Sequence, residues 1–151
     1  MSSSFDVLCA SFCEILGIAA PTLSMDENGI TAFTIEQDGV AVSVMQPRDV
    51  PDLVVIAANL GAVDKDEDPE ACRMFMEVNF LMITTPFNPC LGRNPVSGEF
   101  VLHYTQRLDH TCAYELHQAF ASVVEFATKW RNGLMMRSAA IKPAMVPANL
   151  A

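Results

Sequence analysis

The hydrophobic period changes along this chain, and the order of those changes limits the fold more than any other property. Over residues 3–16, Phe5, Leu8, Phe12, Ile15 and Leu16 recur every three or four positions, the stripe of an amphipathic helix. Ser3 or Ser4 can cap its start and Gly17 is placed to end it. Turn signals follow at Asp26, Glu27, Asn28 and Gly29, then at Gln37, Asp38 and Gly39. The runs beside them, residues 30–36 and 40–46, are rich in β-branched residues, and Val40, Val42 and Val44 alternate as a half-buried strand does. Residues 53–58 are almost wholly apolar, which predicts a strand covered on both faces. Residues 99–106 predict another, with Phe100, Leu102 and Tyr104 on one face, and Cys90–Arg93 a short one before it. Last, Ala113, Leu116, Phe120, Val123, Ala127, Trp130 and Leu134 step by three or four after a cap at Asp109, and Gly133 is placed to terminate the helix after Asn132. The order α-β-β-β-α-β-β-α predicts an α+β fold, an antiparallel β-sheet flanked by three helices. Its 151 residues suit one domain over residues 1–135, with residues 136–151 a loose C-terminal tail.

The middle helix, over residues 69–83, departs from simple amphipathicity. Asp68 suits its N-cap and Pro69 its first turn. From Ala71 to Ile83 only Arg73, Glu77 and Asn79 are polar; Glu70, Arg73 and Glu77 form one narrow wet stripe. Asn79 lies about 200° around the helix from Glu77, inside the apolar face. A helix apolar on nearly every side needs cover on more than one, and in so small a domain another subunit is the expected cover. Met74, Met76 and Met82 add flexible thioethers that adapt to irregular partners.

Charge and chemistry narrow the function. Eighteen acids against nine bases give a net charge of −9, a field that repels phosphate backbones and argues against nucleic acid as partner. The four bases after residue 128 (Lys129, Arg131, Arg137 and Lys142) have no acid among them. The longest apolar run, Leu53 to Ala58, is far short of the roughly 20 residues a membrane helix needs, and the N-terminus lacks the basic start of a secretory signal. Cys9, Cys13, Cys72, Cys90 and Cys112 follow no metal or disulfide spacing and read as buried reduced thiols. Asp64, Asp66 and Asp68 start like a calcium loop, but Pro69 and Phe75 stand where its glycine and last carboxylate belong. His110, Cys112 and His117 fall short of a zinc set. No phosphate-cradling glycine loop or nucleophile motif occurs. The expectation is a binding protein, not an enzyme, with no cofactor and no metal.

Several positions share a further pattern. Phe5, Leu8, Phe12, Leu16, Gly17 and Ile18 open the chain; Leu23, Asp26, Glu27, Gly29 and Ile35 follow; Leu60 and Gly61 end a strand. Met74 to Asn79 is similar to a Leu-Leu-Glu-x-Asn helix, and Gly98, Val101, Leu102, Leu108, Leu116, Phe120, Phe126, Trp130 and Arg131 continue the match. Together these resemble the class I type III secretion chaperones, the Tir-chaperone family, from Phe5 to Leu134. The resemblance implies a bacterial cytoplasmic homodimer that binds the N-terminal region of secreted effector proteins, holding it extended and secretion-competent without nucleotide. The proline-rich stretch 86–95 and the tail departs from that pattern. Dimer contacts are expected at Met74, Phe75, Val78, Asn79, Met82 and Leu91. Apolar pockets for the partner are expected at Phe5, Phe12, Phe33, Val42 and Val44. Two rival readings stay open: a small ligand- or thiol-dependent enzyme, and a chaperone-like regulator of a folded partner.

Overall fold

The computed structural model describes residues 4–85 and 88–133. Helix α1 (Phe5–Leu16) precedes strands β1 (Ser24–Met25), β2 (Ile30–Gln37), β3 (Val40–Pro47) and β4 (Leu53–Gly61). Helix α2 (Asp68–Met82), strands β5 (Cys90–Arg93) and β6 (Phe100–Arg107), a 3-10 turn at Leu108–His110 and helix α3 (Ala113–Arg131) complete the order. The six strands form one antiparallel sheet in the order β1-β2-β3-β4-β6-β5. This is the expected α+β architecture with one short strand, β1, added. The expected tail, residues 136–151, lies outside the described residues.

Local chemistry explains the turns. Asp38 and Gly39 both take positive φ (55° and 74°), the mirror-image turn whose twist matches the strands of a two-residue hairpin. Before β2, Asp26 accepts hydrogen bonds from the backbone N–H groups of Asn28 (3.0 Å) and Ile30 (2.8 Å), closing the turn from inside. Helix α1 is capped by Ser4, whose hydroxyl accepts from Val7 N–H, and ends at Gly17 with φ 69°.

Two expected caps are corrected. Asp68 is already helical and pairs with Arg93 at 2.9 Å, leaving Glu67 at the cap without a side-chain bond. Asp109 lies in the 3-10 turn, where Arg107 occupies its carboxylate at 3.0 and 2.9 Å. Cys112 caps α3 instead, and Glu115 reaches back to its backbone N–H at 2.9 Å.

The core lies on one side of the sheet. Val40, Val42 and Val44 of β3, Val54, Ile56, Ala58 and Leu60 of β4, and Phe100, Leu102 and Tyr104 of β6 are buried against α1 and α3. Strand β4 alternates buried and half-buried residues, so it is covered on one face and not on two as its sequence suggested. A register shift between Asn59 and Gly61 marks its end; there the Trp130 indole N–H donates to the Leu60 carbonyl at 3.2 Å.

Candidate partner-binding surfaces

Of the five residues expected to line partner pockets, four are interior. Phe5 is 3% exposed and Phe12, Val42 and Val44 are 0%, all in the core cluster. Phe12 meets Phe120 edge-on at 5.4 Å, and such a pair adds about 0.5–1.5 kcal/mol beyond its buried area. These four hold the domain together and line no open groove. Phe33, half-buried on β2 with its ring centroid 6.4 Å from Phe12, is the one within reach of a partner.

The opposite parity of the same strands is what the fold leaves open. Because side chains alternate, Ala41, Ser43 and Met45 point away from the face carrying Val42 and Val44. The registers align Ser43 with Ala57, Met45 with Val55, Ala57 with His103, and Asn59 with Val101. Met45, Val55, Ala57 and Val101 therefore form a half-buried apolar centre on this second face, outside the core cluster. Thr34 and Ser43, joined at 2.8 Å through their hydroxyls, give it a polar margin. Among the described residues no helix packs on this face.

The two sheet edges differ. β1 pairs with Thr31 and Ala32, so among the described residues Phe33–Gln37 run on with no strand outside them. At the other edge, Asn79 of α2 serves the middle of β5: its Oδ1 accepts from Leu91 N–H at 2.7 Å and its Nδ2 donates to Leu91 C=O at 2.9 Å. The polar residue inside the apolar face of α2 thus has its partner within the chain.

Helix α2 also turns its expected dimer residues inward. Phe75 is 5% exposed, stacked on Trp130 (4.5 Å, 20°) and tilted against Phe100 (4.3 Å); Leu91 is 5% exposed. Met74, Val78 and Met82 are half-buried against the same core. Phe75 and Leu91 are core residues of their own chain, because α3 ends beside α2 and presents Trp130 to it. The outward apolar residues are Met76 and Phe80 (74% exposed each), Leu81 (72%) and Ile83 (64%). Met76, Phe80 and Ile83 follow at steps of four and three with Leu81 beside Phe80, but a helix apolar all round hides which stripe faces its own core. Beside this face, Cys72, Phe75, Met76, Asn79, Leu91 and Phe100 line a mostly apolar cavity of about 180 Å³.

The thiols divide. Cys9 and Cys13 are buried, and burial, with Cys13 and Asp6 adding to it, pushes the Cys9 thiol up to about 12. Cys72 is half-buried, while Cys90 and Cys112 are exposed. The buried-thiol reading therefore applies to two of the five. Among the described residues no helix is long and apolar enough to cross a membrane.

The Tir chaperone protein (CesT) family model matches residues 8–131, from the first helix to the end of α3. The chain belongs to the Tir chaperone protein (CesT) family. It is a chaperone of type III secretion, from a family that binds secreted effectors. Solved structures of low sequence identity share its fold. The ExsC–ExsE complex matches with a TM-score of 0.65 at 17% identity, over 90% of this chain and 100% of that one. The HopA1–SchA chaperone–effector complex matches at 0.64 and 16%, over 85% and 93%. The ExoT–SpcS complex from Pseudomonas aeruginosa matches at 0.63 and 18%, over 85% and 98%. No curated protein is significantly similar in sequence. Family membership fits the fold, in which α1 and α3 pack on one face of the sheet and α2 packs beside β5.

Proposed function

We propose that this chaperone acts in the bacterial cytoplasm, binding the N-terminal segment of an effector in extended form across the uncovered sheet face and along the free edge of β2. The observation that carries this reading is the half-buried apolar centre of Met45, Val55, Ala57 and Val101 on a sheet face without a helix, beside the unpartnered stretch Phe33–Gln37. An open strand edge supplies backbone hydrogen bonds to any extended chain, and the apolar face supplies pockets for alternate side chains. Such a mode holds a client unfolded without nucleotide or bond chemistry. Two copies are expected to join through the outer face of α2, where Met76, Phe80, Leu81 and Ile83 expose apolar area of the kind that marks interaction sites.

The test is co-purification of the chain with the first few tens of residues of candidate effectors, set against the Ala57→Lys variant. A lysine there puts a charge in the centre of the face while leaving the core parity untouched. Retention of a client by the native chain and its loss from a folded Ala57→Lys variant supports the assignment. Equal retention by both removes the sheet face from it.

A further inference from the structure

We infer that Asn79 acts as a surrogate strand that closes the β5 edge of the sheet, leaving the β2 edge as the one open to a partner strand. This concerns the free chain and stands whether or not the effector reading is right.

An edge strand presents unpaired N–H and C=O groups that template pairing with any other strand. In β5, Cys90 and Gly92 alternate with Leu91 and Arg93 along four residues, all in antiparallel register with β6. In such a ladder, residues alternate between bonding the neighbour and directing both backbone groups outward. Leu91 bonds Asn79 through both its N–H (2.7 Å) and its C=O (2.9 Å), so it is an outward-directed residue. A primary carboxamide carries one acceptor and one donor side by side, the same pair an incoming strand offers. Asn79 therefore fills the central bonding position of the edge. No apolar side chain can do this, and Asp would set a carboxylate oxygen against the Leu91 carbonyl. The placement also explains an asparagine embedded in an otherwise apolar helix face, where an unpaired amide would be costly.

Closure matters because this edge borders the exposed apolar residues Met76 and Phe80 and the cavity beside Leu91. Without Asn79, a strand edge and an apolar surface lie together, the combination that drives sheet-to-sheet association. The partner expected at an opened edge is a second copy of β5, running antiparallel.

The experiment measures amide exchange and light scattering on the full chain and its Asn79→Ala variant, with Asn79→Leu as a second variant that keeps the side-chain volume. Gly92 N–H, which faces β6, reports that the sheet is intact. The expected result is Leu91 exchange faster by about tenfold or more with Gly92 unchanged, since a net hydrogen bond is worth roughly that factor. Association beyond the native state should accompany it. Gly92→Lys in the same background should restore the native mass while Leu91 still exchanges fast. A β-carbon at Gly92 meets nothing within 4 Å, so an edge lysine fits there. Unchanged Leu91 exchange in both variants overturns the proposal. Fast exchange without added association reduces Asn79 to a fastener of α2 on β5 and also overturns it.

Discussion

Cys9 shows how a buried thiol gives the domain a pH dependence. Its thiol is 0% exposed, and burial raises it from an ordinary 9.0 to about 12. The neutral thiol is thus favoured in the folded state over the unfolded one. The stability it contributes is complete below pH 9 and is lost as pH climbs from 9 towards 12. At pH 10 the loss is on the order of 1 kcal/mol from this group alone. Burial raises Cys13 and Tyr104 in the same direction. Denaturant titrations at pH 8 and pH 10 should show the decline, and Cys9→Ala should shrink it by about 1 kcal/mol. An undiminished decline in that variant assigns the effect elsewhere. Phe75 makes a second residue-scale case. Wedged between Trp130 and Phe100, it fastens α2 to the sheet, and Phe75→Ala should cost about 3–5 kcal/mol in the same titration.

At the scale of elements, α2 divides its apolar residues between two tasks. Ala71 and Phe75 join the core, and Met76, Phe80, Leu81 and Ile83 face outward. Mutations on the two stripes should therefore separate stability from association. Phe80→Asp changes a site already 74% exposed, so the fold should lose no more than about 0.5 kcal/mol. A dimer built on this face should nevertheless fall to monomers, since the same substitution would bury an unpaired charge. Light scattering and thermal unfolding on one sample read both effects. Dimers that persist through Phe80→Asp move the interface off this face. Helix α3 performs the opposite duty, with Leu116, Ala119, Phe120, Val123, Ala127 and Trp130 all committed inward.

For the whole molecule, net charge and buried surface make different demands on binding. The chain carries −9, while the proposed client surface is apolar at its centre. Charge steers encounter and is screened beyond roughly 8–10 Å in ordinary salt; buried apolar contacts are screened little. Calorimetry with an effector N-terminal peptide should give a clearly negative heat-capacity change. Affinity should fall by less than about tenfold between roughly 50 and 500 mM salt. A heat-capacity change near zero, or a loss of several orders of magnitude in salt, would make the surface electrostatic.

Period, turn chemistry and capping are local properties, so the two terminal helices, the β2–β3 hairpin and the α+β class were legible along the chain: Ser4, Gly17, Asp38 and Gly39 act where their chemistry places them. Orientation is not local. β3 and β4 carry apolar side chains on both parities, and the position of α1 and α3 over one face is what buries Val42 and Val44 and leaves Met45 and Val55 outside. The same holds on α2, where the approach of Trp130 from α3, 55 residues along the chain, makes Phe75 interior and Phe80 exterior. Asn79 stood out by its polarity, but its partner Leu91 is twelve residues away on another element. A sequence states which residues seek cover; which of them receive it depends on packing between elements distant along the chain.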